Sequence, residues 1–201
     1  MRLSLTMDKS ALLSIALLHE LAGQDTDLPE DSHSHIQLVT LAREQTLFDI
    51  GQPHPYLYVV RSGCLKLQYR REDGREWIHD FVSEGAFFCS LQALMPGGVS
   101  SYACQALEAS ELERIDYRWL EDAARTSPVW QQALLNGWKL HAYRCDLRER
   151  DLLTLSPTER YQAFVAQQPG LARRIPQKDL ALFLGITPVS LSRIRGRLAP
   201  P

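Results

Sequence analysis

The segment from Gln177 to Pro201 carries the side chains whose types and spacing most clearly indicate a chemistry. Arg193 and Arg197 are four residues apart, so on a helix they lie on one side and can donate hydrogen bonds to an anion. An apolar stripe at helical spacing occupies the opposite side. A helix with these two faces suits the major groove of DNA. The stripe is Leu191, Ile194 and Leu198, and the other face offers Val189, Ser192, Arg193 and Arg197 to a partner.

A turn and two helix-capping signals precede this helix. Gly185 tolerates a positive φ and can end a first helix, in which Ala181 is the small residue. Thr187 is a suitable N-cap, and Pro188 fits the first helical position, where no backbone N–H is needed. The spacing predicts a helix-turn-helix. An ordinary two-helix hairpin is the alternative.

The charge of the chain is divided unevenly. Residues 156–201 contain seven Lys and Arg against Glu159 and Asp179, whereas residues 1–155 contain 15 basic and 22 acidic residues. The net charges are therefore +5 and −7, which add to the −2 of the whole chain. A small basic module on an acidic carrier is typical of a part that binds a polyanion. A solvated basic face without a partner is the simpler alternative.

The first two thirds of the chain predict a β-rich domain after one helix. Apolar spacing indicates a helix over Ser10–Leu21, and the polar segment 24–35 is expected to be a loop. Asp73-Gly74 between two strand-like runs predicts a hairpin. Short β-rich runs at this spacing predict an antiparallel sandwich or barrel. The runs are Ile36–Leu41, Thr46–Ile50, Tyr56–Arg61, Cys64–Arg71, Glu76–Val82, Tyr102–Leu107 and Glu111–Ile115.

A long helix should follow from Pro128, with Ser127 as its cap. Trp130 and Trp138 lie on this helix and need burial. A symmetric contact with a second copy and packing on the chain's own barrel are both open. Ser156-Pro-Thr-Glu159 is a capping box that starts a new helix and marks the domain boundary.

Several function classes are not favoured. No apolar run reaches the ~18 residues of a membrane span, and the start lacks a signal-peptide pattern. The four cysteines (Cys64, Cys89, Cys104 and Cys145) are dispersed and indicate a reduced, cytoplasmic protein rather than a metal or iron–sulfur site. His33-Ser-His35 lacks a third ligand, and the histidines do not fit the His-x-His…Glu…His pattern of a cupin-type barrel. We expect no catalytic role, no cofactor and no metal.

The order of these elements resembles the Crp/Fnr family of bacterial transcription regulators over about residues 36–198. The resemblance rests on Gly51, Tyr56–Gly63, Asp73-Gly74, Glu84–Phe88, Ala106–Leu112, Ser156–Tyr161, Ile175–Gln177, Leu184–Pro188 and Leu191–Arg195. It implies an α+β fold: an N-terminal helix and jelly-roll-like antiparallel β-roll (1–127), a long dimerisation helix (128–155) and a C-terminal winged helix-turn-helix (156–201). It also implies a homodimer that binds a near-palindromic double-stranded operator, with RNA polymerase and a small-molecule effector as further partners.

The resemblance assigns roles to residues of the last two parts. Pro188, Val189 and Arg193 occupy the positions that face base edges, and Gln177, Lys178 and Arg197 are candidates for phosphate contacts. Thr187, Ser190 and Ser192 complete the predicted DNA-binding surface. Trp130, Leu134 and Trp138 are the predicted dimer contacts.

The effector region departs from the family. Cyclic-nucleotide-binding members carry a glutamate and an Arg-Ser or Arg-Thr pair, where this chain has Ser90 and Ser100-Ser101. No lysine or arginine lies between Arg75 and Arg114 to compensate a cyclic phosphate. We therefore expect no binding of cyclic AMP. The candidate pocket is Phe87, Phe88, Ser90, Leu91, Ser100, Ser101 and Tyr102, and an apolar core without a ligand is equally open.

A second function class also remains open. The chain could be a small-molecule-binding interaction protein whose helical module binds protein rather than DNA. Only a DNA binder would show a steep dependence of duplex affinity on salt.

Overall fold

A computed structural model describes residues 12–23 and 32–198 of the chain. The helices are α1 (Leu13–Ala22), α2 (Ser32–His35), α3 (Leu91–Leu94), α4 (Tyr117–Thr126), α5 (Pro128–Thr154), α6 (Pro157–Gln167), α7 (Pro169–Arg174), α8 (Gln177–Phe183) and α9 (Pro188–Leu198). The strands are β1 (Ile36–Leu41), β2 (Thr46–Phe48), β3 (Tyr56–Ser62), β4 (Cys64–Arg70), β5 (Glu76–Ser83), β6 (Phe87–Phe88), β7 (Ala103–Ala106) and β8 (Ser110–Asp116).

The strands form two antiparallel four-stranded sheets that face each other as a β-roll. The first sheet has the order β1-β8-β3-β6, and the second has the order β2-β7-β4-β5. The hairpin between β4 and β5 turns at Gly74, whose φ of 79° is readily accessible to glycine. Phe48, Tyr58 and Leu65 are among the residues buried between the sheets. The predicted β-roll is thus the architecture of the chain.

Three helices cover the outer side of the first sheet. Residues of α1, α4 and α5 share one apolar cluster with β3 and β8. The buried carboxylate of Glu113 on β8 accepts hydrogen bonds from the main-chain N–H groups of Leu13 and Ser14, both at 2.7 Å. It also pairs with Arg61. These bonds satisfy two of the N–H groups that the first turn of α1 leaves without helical partners.

The C-terminal helices pack against the outer side of the second sheet. Cys64, Ile78 and Phe81 of the roll are buried in one cluster with apolar residues of α6, α7 and α8. Arg174 hydrogen-bonds both Glu84 and Glu108 of the roll. The basic module therefore neutralises part of its positive charge against its own acidic roll.

The element bounds differ from the predicted ones where the sequence signal is weak. The predicted loop 24–35 ends in the short helix α2, while residues 24–31 lie outside the described part. The helix predicted from Ser10 is described from Leu13 onward, and α4 and β6 had no prediction. Ser127 holds the N-cap position of α5 without a side-chain cap bond, whereas Ser156 forms the predicted capping box with Glu159. No strand follows α9 among the residues described, so the wing stays a prediction.

No helix within residues 12–23 and 32–198 combines the length and the apolarity of a membrane span.

Candidate nucleic-acid interface and interdomain cavity

The connection between α8 and α9 is a tight turn that its sequence specifies. Gly185 has φ 68°, and its N–H donates to the carbonyl of Leu182 at 3.2 Å. The next N–H, of Ile186, donates to the carbonyl of Ala181 at 3.0 Å. These two bonds form a Schellman motif, which glycine favours. Ala181 is fully buried, so its small side chain allows the two helices to approach closely.

The helix α9 has one buried side and one exposed side. Leu191 and Ile194 are buried, whereas Val189 is 60% exposed and Arg193 and Arg197 are exposed. Leu198 is 42% exposed, so its predicted place in the buried stripe is wrong. This residue is at the end of α9, beyond the last buried contact of the stripe. A polar and cationic face is therefore available along the rest of the helix.

The cap of α9 involves two of the predicted DNA-binding residues. Thr187 Oγ1 accepts a hydrogen bond from the main-chain N–H of Ser190 at 3.1 Å. The two hydroxyl groups are 2.9 Å apart. Ser190 is thus already engaged at the helix start, whereas Pro188 and Ser192 are exposed.

The start of α8 lies beside the β4–β5 hairpin. Gln177 and Lys178 are exposed. Lys178 Nζ is 3.9 Å from a carboxylate oxygen of Glu76, and Asp179, which is buried, pairs with Lys66 at 3.4 Å. Asp179 fixes the helix to the roll, while the Lys178 side chain is 72% exposed and can exchange its partner for a phosphate.

A cavity of about 440 Å³ lies between the roll, α5 and the C-terminal helices. Of the predicted effector residues, Phe87, Phe88 and Tyr102 line it. Ser90, Leu91, Ser100 and Ser101 are not among its lining residues. Ser90 and Ser100 are buried, with Ser100 donating to the main-chain oxygen of Tyr102 at 2.6 Å, and Leu91 is 46% exposed. The structure therefore brings together only the aromatic part of the predicted pocket.

Aromatic rings fill the space inside the roll. Phe48, Tyr58, Phe88 and Tyr102 lie in successive ring contacts with centroid distances of 5.3–6.3 Å. Burial lowers the pKa of the neighbouring His54 to about 4, and the charge of Arg114 acts in the same direction.

The cavity does have cationic side chains, which α5 and α6 supply. Arg144, Arg148 and Arg160 line it. The count of cations between Arg75 and Arg114 considered only the residues of the roll and did not include these three arginines. A signal was present in the sequence: Trp138, His141, Cys145 and Arg148 repeat at i, i+3, i+7 and i+10, the spacing of a single helix face directed at the roll.

The predicted dimer residues of α5 pack within their own chain. Trp130 is 3% exposed and contacts Trp119 edge-on, with ring centroids 6.1 Å apart. Leu134 and Trp138 line a small apolar cavity beneath α1. Trp130 is therefore buried within its own chain, as the open alternative has it, whereas Leu134 and Trp138 are only partly buried and stay predicted dimer contacts. The exposed face of α5 instead carries Leu135, Lys139, Ala142, Asp146, Glu149 and Leu153.

The histidines and cysteines form no metal centre in the described part of the chain. No group of three or more His, Cys, Asp or Glu side chains there is placed to hold a metal ion. His35 stacks on Trp119, and the side chain of His33 lies outside what the structure describes. Cys64, Cys89 and Cys104 are buried free thiols, and Cys145 is exposed.

Known proteins share this architecture. A family model for the cyclic nucleotide-binding domain matches residues 38–127. The chain is 28% identical to the anaerobic regulatory protein of Pasteurella multocida over 172 residues, covering 79% of the chain and 61% of that protein. It is 28% identical to the fumarate and nitrate reduction regulatory protein of Escherichia coli over 171 residues, covering 78% of the chain and 66% of that protein.

A solved structure is similar over most of the fold. FixK2 from Bradyrhizobium japonicum superposes with a TM-score of 0.71 at 19% identity, covering 81% of this chain and 84% of that one. At 19% identity, this similarity shows a shared fold only. The chain spans less than two thirds of the length of the two regulatory proteins.

Proposed function

We propose that this chain, which belongs to the Crp/Fnr family of bacterial transcription regulators, is a homodimeric, sequence-specific DNA-binding regulator of transcription. The observation that carries the proposal is the exposed face of α9. It is a capped helix, anchored by Leu191 and Ile194, that presents Arg193 and Arg197 to solvent. A helix held in this way can enter a major groove without rearranging the core behind it.

Base readout is assigned to three positions at the start and middle of α9. The guanidinium of Arg193 can bond O6 and N7 of a guanine together, a contact that discriminates by ~1–3 kcal/mol. Pro188 and Val189 have no side-chain hydrogen-bond donor, so they favour the methyl group of a thymine. We expect the operator to contain a guanine and a thymine at the facing positions of each half-site.

Phosphate contacts are assigned to exposed groups at the edges of the same module. Lys178 at the start of α8 and Arg197 near the end of α9 supply positive charge, and Gln177, Thr187 and Ser192 supply neutral donors. These contacts position the protein without reading sequence. Ser190 is a weaker candidate, because its N–H and hydroxyl already take part in the cap of α9.

The dimer seam is proposed along the exposed face of α5. Leu135, Ala142 and Leu153 lie on it with spacings of seven and eleven residues, which fit the alternating steps of four and three in a coiled coil. Leu135 is 47% exposed and Leu153 is 77% exposed, so both are available to a second copy. A two-fold dimer would present two α9 helices to two half-sites of a near-palindrome.

The remaining assignments follow from family membership. We place the protein in the cytoplasm, where its DNA is. RNA polymerase and a small-molecule effector are proposed partners. The relatives are regulatory proteins, and we assign no reaction to this chain.

The test is selection of bound duplexes from a random library, followed by two matched variants. Arg193→Ala should weaken binding to the selected duplex more than binding to a scrambled one, because only the selected duplex has the guanine at the position that faces Arg193. Arg195→Ala removes an arginine from the same helix without removing a proposed contact, and should preserve the ratio of the two affinities. Equal losses on both duplexes with Arg193→Ala, or no enriched sequence, would contradict the proposal and favour a protein partner for the module.

A further inference from the structure

The 440 Å³ cavity is lined by residues of the roll, of α5 and of the helices α6 and α8. Phe88 and Tyr102 of the roll and Phe164 and Phe183 of the C-terminal module form much of its apolar wall. Its volume lies within the ~300–1,000 Å³ of pockets that hold small organic ligands. The three serines at the positions of the family's cyclic-nucleotide anchors do not line it. A ligand here would thus meet a different set of groups.

The guanidinium of Arg148 in the cavity wall has no carboxylate partner among the residues that the structure describes. Arg148 of α5 is half-buried, and its guanidinium donates to the main-chain oxygen of Phe183. Its guanidinium carbon lies 3.7 Å from the centroid of the Phe183 ring. Within the described ranges, no carboxylate forms an ion pair with it. Because removing a charge even partly from water without a counter-ion is unfavourable, this position is suited to an anion.

The neighbouring charges do not remove that preference. Arg144 pairs with Asp80 at 3.0 Å, so these two groups together are neutral. Asp151 is bound by Arg150, and Arg160 donates to main-chain oxygens at the ends of α5 and α8. Glu149 also lines the cavity but is exposed to solvent.

Two histidines of the wall provide uncharged polar groups. Burial lowers the pKa of His79, with nearby Arg148 and Arg144 acting in the same direction and Asp80 opposing it. Burial also lowers the pKa of His141. At neutral pH both rings are therefore mainly neutral and can donate or accept one hydrogen bond.

We propose that this cavity binds a small apolar molecule bearing one carboxylate. The carboxylate pairs with Arg148 and takes a further hydrogen bond from Arg144, while the apolar body lies between Phe88 and Phe164. Arg148 belongs to α5 and contacts the last turn of α8, so the ligand links the roll, α5 and the C-terminal module. Its binding stabilises the docked arrangement of that module. The consequence for DNA affinity rests on the proposed function.

The experiment uses 8-anilinonaphthalene-1-sulfonate as a fluorescent reporter on the full chain, with octanoate and octan-1-ol as competitors. The two competitors share an apolar chain and differ in charge. Octanoate should displace the reporter at a concentration at least about tenfold lower than octan-1-ol, because only octanoate brings a negative charge that pairs with the guanidinium of Arg148. Ala163→Phe, which adds a ring to a lining position, should abolish reporter binding.

Matched variants test which arginine recognises the carboxylate of octanoate. Arg148→Met should bring the two competitors to within about twofold of each other, whereas Arg150→Met, on the same helix but outside the cavity, should keep the wild-type ratio. If circular dichroism shows that Arg148→Met does not fold, Arg144→Met serves instead and should reduce the ratio at least threefold. Equal potency of the two competitors on the wild-type chain, or an unchanged ratio in the folded Arg variant, would overturn the proposal.

The assay contains no DNA, so it fails independently of the proposed function. A chain that binds duplex but does not prefer octanoate refutes only the ligand site. A chain that prefers octanoate but binds no duplex refutes only the DNA-binding role. If both hold, octanoate should change the affinity for the selected duplex at least threefold in the wild type and leave it unchanged in Arg148→Met.

Discussion

The contact between α1 and the roll gives the sharpest prediction on stability. Glu113 is fully buried, and its two oxygens accept the N–H groups of Leu13 and Ser14 at 2.7 Å while pairing with Arg61 at 2.5 Å. Glu113→Gln keeps the shape but replaces one acceptor with an amide NH₂ and removes the charge. One N–H of α1 then faces another donor. The matched control is Glu111→Gln, an exposed glutamate on the same strand.

The expected decrease in the free energy of unfolding follows from the hydrogen bond and the ion pair that Glu113→Gln removes. A hydrogen bond to a charged group contributes about 1.5–3 kcal/mol, and breaking a buried ion pair by removing one partner costs about 3–5 kcal/mol. Glu113→Gln should therefore lower the free energy of unfolding by about 3–5 kcal/mol, and Glu111→Gln should change it by less than about 0.5 kcal/mol. Urea unfolding followed by tryptophan fluorescence measures both, with an unchanged m-value as the check on two-state behaviour. A loss below about 1 kcal/mol for Glu113→Gln would refute the reasoning.

Three further predictions concern assembly, the effector and pH. Leu135→Glu should give a folded monomer by light scattering, because it places two like charges on the proposed seam. Leu134→Glu should instead destabilise the protomer, since that position packs under α1. A dimeric Leu135→Glu variant would contradict the seam. Titration calorimetry should detect no cyclic AMP binding at micromolar concentrations, because serines that do not line the cavity stand at the positions of the family's anchoring groups. Micromolar affinity would contradict this. The pKa of His54 is lowered to about 4 in the folded protein, so between about pH 6.5 and pH 4 the unfolded chain binds a proton that the folded chain excludes. The free energy of unfolding should therefore decrease as the pH falls through this range. Urea unfolding at pH 7 and pH 5 should show a smaller decrease in His54→Gln.

The elements that could be predicted from the sequence are those fixed by local chemistry. Asp73-Gly74, Gly185, Thr187 and the Ser156 capping box each satisfy backbone groups within a few residues. Their positions therefore need no knowledge of the rest of the fold. The helix-turn-helix and the positions of most strands along the chain followed from such signals together with apolar periodicity, whereas the order of the strands within the two sheets did not.

The parts that could not be predicted depend on contacts between distant segments. Trp130 and Leu134 have the spacing of a dimer seam, yet α1 and α4 reach them first and bury Trp130 and partly bury Leu134. Arg148 lies far along the chain from the roll, so a count of cations within the roll did not include it. Sequence spacing gives the face of a helix but not the partner that covers that face.

The central claim is that a dimer of this chain binds duplex DNA, with Lys178 and Arg197 of each protomer contacting phosphates. The salt dependence of DNA binding tests this claim most directly. The measurement is the affinity of the full chain for its selected duplex, by fluorescence anisotropy, as a function of salt concentration. Two protomers that each bring Lys178 and Arg197 to phosphates should give a slope of about −4 for log affinity against log salt, with two chains bound per duplex. An affinity that does not change with salt, or one chain per duplex at saturation, would contradict the account.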